Sequence, residues 1–149
     1  MQRRGQLWFI AQFVLFCAIL VAPLVDRFDC PLWLRVLGLM TLAGGIFVTV
    51  LGYRTLGSSH SPWTNPIEGG HLVTTSIYRF VRHPIYTGWI VVALGWALFF
   101  STLFGVGVAI AGFIFYDLKA REEEKWLIEK YSDYAAYQRQ VRRFIPRLY

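Results

Sequence analysis

Two short polar clusters hold the residue types from which a site can be built. The first is Arg82-His83-Pro84-Ile85-Tyr86-Thr87-Gly88 and the second is Lys119-Ala120-Arg121-Glu122-Glu123-Glu124. Guanidinium and carboxylate groups form the strong, charge-assisted class of hydrogen bond. Imidazole and phenol can donate or accept. Together they suit a polar, zwitterionic ligand. Between the clusters, Ile85 to Tyr116 runs for 32 residues without a charge, enough for a helical hairpin through a bilayer. A hairpin returns to the side it left, so both clusters are expected at one membrane face, where a polar cofactor would meet a lipophilic substrate.

The elements that must position these residues are read from composition. At 149 residues the chain is one domain by length. It is 56% hydrophobic and only 16% charged, whereas soluble domains carry about 25% charged residues. The net charge of +6 does not come as a basic stripe alternating with exposed aromatics, so a nucleic-acid partner is not expected. Basic residues facing anionic membrane lipids account for it. Cys17 and Cys30 are expected to be structural thiols: one lies in an apolar run, and no zinc-type spacing occurs. No metal ligands are assigned.

The apolar runs predict an all-α integral membrane domain filling 1–149, with four transmembrane helices at about 7–25, 32–53, 85–100 and 103–125. The first run is longer than a signal-peptide core and is read as a retained span. Phe99 to Leu103 is the expected break of the C-terminal hairpin. Two spans of about 16 residues reach only about 24 Å, so both must continue into their polar flanks to cross about 30 Å of hydrocarbon. The last is extended to about Lys130, and a cytoplasmic helical tail follows. Gly38, Gly44, Gly45 and Gly52 are read as helix-packing residues. The connection from Arg54 to Arg82 carries turn signals from Gly57 to Gly70, a mildly strand-like Leu72–Ser76 and a short interfacial helix over Ile77–Arg82. Four spans place all the lysines and arginines except Arg27 and Arg35 on one side. By the positive-inside rule that side is cytoplasmic.

The ordered set resembles the isoprenylcysteine carboxyl methyltransferase and phospholipid methyltransferase superfamily of membrane enzymes. That family's pattern is Leu-Val-Thr-x-Gly-x-Tyr-x-x-x-Arg-His-Pro-x-Tyr-x-Gly, a hairpin, then Arg/Lys-x-x-x-Glu-Glu-x-x-Leu and an aromatic tail. Here Leu72-Val73-Thr74-Thr75-Ser76-Ile77-Tyr78 leads into Arg82-His83-Pro84-Ile85-Tyr86-Thr87-Gly88. Lys119 and Glu123-Glu124-Lys125-Trp126-Leu127 follow, then Tyr131, Tyr134, Tyr137 and Val141 to Pro146. The motifs cover roughly residues 54–146; the first two spans match in hydropathy alone. Ser76 replaces the family's usual glycine, and the tail is one residue shorter between Tyr131 and Tyr137. Spacing to Leu127 selects Glu123 and Glu124 as the motif pair and leaves Glu122 as a solvated extra.

The resemblance implies S-adenosylmethionine as methyl donor at the cytoplasmic face; the two arginines flanking the first span and the compact size are read as those of a bacterial inner-membrane protein. It implies Tyr78, Arg82, His83, Tyr86, Glu123 and Glu124 as cofactor-binding residues, with Arg82, His83, Tyr86 and Glu124 catalytic. Arg82 and His83 are expected on the cofactor's carboxylate, and the glutamates on its ammonium or ribose hydroxyls. The acceptor would be lipophilic or lipid-linked, bearing a carboxylate, amine or thiol. It would enter sideways past Trp89, Val92, Trp96 and Phe113. Gly88 would leave room for cofactor or helix, and Trp63, Tyr131, Tyr134 and Tyr137 would anchor at the interface. Two other classes compete: an NADPH-dependent membrane reductase with related C-terminal motifs, and a non-enzymatic membrane protein handling haem through His60, His71 and His83.

Overall fold

The computed structural model describes residues 2–57 and 70–149, with side chains from Gln6 onward. The turn signals from Ser58 to Gly69, and with them His60 and Trp63, lie outside the described residues. Four long helices appear, α1 (Gln2–Val25), α2 (Leu32–Leu56), α3 (Pro84–Phe100) and α4 (Leu103–Lys130), followed by the short α5 (Tyr134–Gln140). α1, α2 and α4 are long and apolar enough to cross a membrane, and α3 is a shorter apolar helix. The all-α expectation holds, and large side chains such as Phe13 (60% exposed) and Phe47 (68%) face outward. On a soluble protein such a surface would drive association; on an integral membrane protein it meets lipid.

α4 extends beyond its expected span, as the thickness argument requires. Its 28 residues correspond to about 42 Å, so its last turns stand clear of the hydrocarbon. α3 does not extend. Its 17 residues make about 25 Å because Pro84 starts it, supplying no N–H and pushing His83 out of the helical region at φ −124°.

The hairpin breaks where expected. Ser101 ends α3 at φ 57°, and Thr102 Oγ1 accepts the Gly105 N–H at 3.1 Å. The end of α1 completes this turn. Asp26 accepts from the backbone N–H of Leu103 at 2.8 Å and of Phe104 at 3.2 Å, and from the Thr102 hydroxyl. A carboxylate suits a helix N-terminus. The Thr102 hydrogen bond, aided by those backbone donors and opposed by burial, holds Asp26 below its ordinary pKa.

α2 and α3 form the closest helix pair. A Cβ on Gly38, Gly45, Gly88 or Gly95 would collide with backbone atoms of the facing helix: Phe99, Val92, Thr49 and Leu42 respectively. The seven-residue spacing on each helix keeps the glycines on one seam. Gly88 therefore serves helix approach, and Gly44, with nothing near it, does not belong to the seam. α1 packs against α3 and α4 but stands away from α2.

Two local expectations are corrected. Leu72–Thr75 is irregular, and the interfacial helix shrinks to a 3₁₀ turn over Ser76–Arg79. The cause is the C-terminal strap, residues 141–149. Val81 pairs with Arg142 in a parallel bridge, and the N–H groups of Arg82 and His83 donate to the carbonyls of Arg142 and Arg143. Tyr134 and Tyr137 are also not surface anchors; they are 2% and 9% exposed.

Candidate active site where the two polar clusters meet

The clusters meet through Glu124, whose side chain is 4% exposed. Oε1 accepts from Arg82 Nε and Nη2, each at 2.8 Å, and from His83 Nε2 at 3.1 Å. Oε2 accepts from Arg143 Nη2 at 2.9 Å and Gln138 Nε2 at 3.0 Å. A carboxylate among so many donors is held ionised. Arg82 is equally committed, because its remaining N–H groups donate to the carbonyls of Gln138 and Val141. Arg143 also reaches Asp117 Oδ1 at 2.7 Å. Burial works against this cation, yet the hydrogen bonds and charges of Glu124 and Asp117 push its pKa above the ordinary guanidinium value.

In front of this ionic core lies a cavity of about 300 Å³. Tyr78, His83, Tyr86, Glu123 and Tyr134 stand in its wall, with Arg82 at the back. Because Glu124 can only accept, the His83 proton sits on Nε2. The other ring nitrogen, Nδ1, lies 3.9 Å from Glu123 Oε2. Tyr86 stacks on His83 with centroids 5.4 Å apart and rings 2° from parallel, and its hydroxyl donates to Glu123 Oε2 at 2.8 Å. Burial pushes the phenols of Tyr78 and Tyr134 well above their ordinary pKa, so both are neutral hydroxyls. Tyr137 donates to the Tyr78 carbonyl at 2.5 Å and fixes the 3₁₀ turn. The Tyr134 hydroxyl is buried without a hydrogen-bond partner.

A second cavity of about 680 Å³ lies among α1 to α4 and is almost wholly apolar. Trp89, Val92 and Trp96 line it as expected, while Phe113 packs elsewhere, against Phe144 and Tyr149. Phe9, Gln12, Tyr53 and Trp89 border both cavities and form the neck between them.

The structure thus brings all six expected site residues together, although they come from separate parts of the chain. Glu122 pairs with Lys125 at 2.6 Å on the exposed face, as the spacing to Leu127 requires. Sequence reasoning missed Arg143, Gln138, Asp117 and Gln12, whose roles depend on the strap and on α1. Lys119, read from sequence as a member of the second cluster with no role of its own, is 5% exposed and lines the polar cavity. The lone amide of the first apolar run was the available signal for Gln12.

A family model for phospholipid methyltransferases matches residues 33–134. The protein-S-isoprenylcysteine O-methyltransferase of Xenopus laevis is 30% identical over 118 residues, covering 76% of this chain and 41% of that protein. The human protein of the same name is 29% identical over 118 residues, covering 76% and 42%. The chain therefore spans about two fifths of the length of these curated relatives. Among solved structures, the eukaryotic intramembrane Ras methyltransferase ICMT (isoprenylcysteine carboxyl methyltransferase) superposes with a TM-score of 0.71 at 23% identity. That likeness covers 97% of this chain and 53% of the other, and it shows the fold. Neither a reductase nor a haem protein is among these relatives.

Proposed function

The chain belongs to the phospholipid methyltransferase family, and from that premise we propose that it transfers a methyl group from S-adenosylmethionine to a carboxylate on a lipophilic, membrane-embedded acceptor. The observation that carries this reading is the pair of joined cavities, one polar and opening among the two motif clusters, the other apolar and opening among the membrane helices. Few proteins of this size need both.

The residues present fit the donor. A cavity of about 300 Å³ is at the lower end for small-molecule sites, roughly 300–1,000 Å³. Glu123 offers an acceptor for an ammonium or ribose hydroxyl, and the partnerless Tyr134 hydroxyl is a buried polar atom awaiting a ligand. The ring of Tyr78, in the cavity wall, suits a sulfonium cation. When bound, S-adenosylmethionine supplies an electrophilic methyl group on that sulfonium. Glu123, His83 Nδ1, Tyr86, Tyr78 and Tyr134 would hold it. Arg82 and Glu124, saturated by each other and by Arg143, act from behind as positioning residues.

The acceptor's head group would come to rest beside Lys119, with its apolar part in the larger cavity. Lys119 takes part in none of the ion pairs among the described residues. Glu123, one helical turn on, is the counter-charge the protein sets nearby, and an anionic head group would give this buried cation a direct partner. In methyl transfer to a carboxylate, the sulfur–methyl bond breaks as the oxygen–methyl bond forms, giving a thioether and a neutral ester. No proton has to be removed, so alignment and exclusion of water supply most of the catalysis. The relatives' designation as O-methyltransferases supports an oxygen acceptor. The basic asymmetry supports a cytoplasmic donor site, and an inner bacterial membrane remains part of the proposal. The test is incubation of detergent-purified protein with methyl-labelled S-adenosylmethionine and S-farnesyl-N-acetylcysteine. Base-labile label in the organic extract is expected. Base-stable label in added phosphatidylethanolamine would replace the carboxylate with an amine, and no transfer to either would overturn the proposal.

A further inference from the structure

α1 lies outside the matched family region, and its one polar side chain within the apolar run sits where the two cavities join. Gln12 is the only amide or charged residue between Leu7 and Val25. A polar group inside a membrane span is costly and calls for a functional account. Gln12 Oε1 accepts from Lys119 Nζ at 2.8 Å. The same ammonium stands 5.3 Å from the centroid of the Tyr86 ring, which itself stacks on His83. Gln12 is thus one residue away from the ring at the centre of the polar cavity, and it forms part of the apolar one.

We propose that Gln12 is an acceptor-binding, specificity-determining residue: it fixes the Lys119 ammonium at the neck and presents its own amide N–H₂ to an anionic oxygen of the acceptor. The inference rests on the methyl-transfer reading above and assigns the head-group contact to α1. Geometry explains why two donors are needed. A lysine on α4 is a flexible point charge, and without a second contact it can swing toward Glu123, which lines the same cavity. The Gln12 oxygen restrains it from the opposite wall. Its amide then supplies the fixed direction that a carboxylate with two oxygens can use. The neighbouring neck residues Phe9 and Trp89 offer apolar surface for the chain that follows the head group.

The pairing also predicts a sign. A carboxylate in place of the amide would neutralise Lys119 from within the protein and repel an acidic acceptor. An apolar isostere would leave the ammonium unrestrained and remove the amide donor. Both changes leave the donor-binding residues in place.

The experiment compares the parent with Gln12→Leu and Gln12→Glu, purified in detergent, using S-farnesyl-N-acetylcysteine and phosphatidylethanolamine as probes. Gln12→Leu should raise the KM for the prenylcysteine about tenfold and Gln12→Glu by more, with affinity for S-adenosylmethionine within twofold of the parent. Gln12→Leu makes the span more apolar, and an unchanged melting curve verifies that it folds. An unchanged prenylcysteine KM in both variants would overturn the inference while leaving the methyltransferase reading intact. A parallel loss of donor affinity would overturn it too, by placing Gln12 in the donor site. Faster methylation of phosphatidylethanolamine by Gln12→Glu would overturn the anionic head group. A parent that methylates neither probe would instead sink the function on which the inference rests.

Discussion

The two ends of the helical bundle both carry polar networks, and they differ in what they leave over. At the end holding the hairpin turn, Asp26, Thr102 and Ser101 join the end of α1 to the start of α4. Asp26 meets Thr102 and two backbone N–H groups, Thr102 meets Gly105, and Ser101 meets Cys30 and Phe28. Every one of these contacts stitches chain to chain. At the opposite end, Glu124, Arg82 and Arg143 close on one another in the same way, yet they stand behind a second layer. There His83 Nδ1, the Tyr134 hydroxyl and the Lys119 ammonium face a cavity. A polar cluster near a membrane is therefore not in itself a site. What marks a site is capacity left facing open space.

The comparison can be broken most sharply at Glu124. Glu124→Leu removes the acceptor for Arg82, His83 and Arg143 together and leaves the buried Arg82 without a counter-charge, a loss of about 3–5 kcal/mol. Little monodisperse protein is expected in detergent. Glu124→Gln, which keeps one acceptor oxygen, should retain fold and lose most activity. A stable, active Glu124→Leu would show that the ionic core is not what positions the site.

A smaller effect of opposite sign is expected at Ser76. Its φ of 52° lies in the left-handed region, where a non-glycine residue costs about 1–2 kcal/mol. Ser76→Gly should therefore stabilise the turn that carries Tyr78 by about 1 kcal/mol, seen as a higher melting temperature with activity at least equal to the parent. A lower melting temperature would count against strain there.

How far the sequence carried the account can be judged at such positions. The motif comparison singled out Ser76 as a departure from glycine, and the backbone supplies the reason. The spans, the break at Ser101 and the meeting of the two clusters were legible because hydropathy and charge act locally along the chain. Arg143 was not. It lies in a strap whose path under α3 is fixed by contacts with Arg82 and His83 about 60 residues away, and no local pattern encodes that. The tail tyrosines were misplaced for the same reason: an aromatic residue beside a membrane reads as an anchor until a cavity is folded around it. The burial of Lys119 depends likewise on α1, whose Gln12 meets it across more than 100 residues of sequence.

The smallest effect belongs to the end holding the hairpin turn. Asp26 has its carboxyl held below the ordinary value of 3.8, so the stability it contributes is complete above that value and is lost as pH falls through the lower folded one. Asp26→Asn should lower the melting temperature at neutral pH, by an amount that shrinks as the buffer is made strongly acidic. Methyl transfer should be unchanged wherever both proteins are folded. A large loss of activity in Asp26→Asn would erase the distinction between the two ends.

The central claim is that the cavity beside the ionic core binds a methyl donor through Glu123 and the groups around it. Calorimetric titration of S-adenosylmethionine and, separately, NADPH into the detergent-purified parent and Glu123→Gln tests it most directly. The expected result is binding of S-adenosylmethionine to the parent, at least tenfold weaker binding to a Glu123→Gln variant with an unchanged melting curve, and no heat from NADPH. Binding of NADPH but not S-adenosylmethionine, or equal donor affinity in parent and variant, would contradict it.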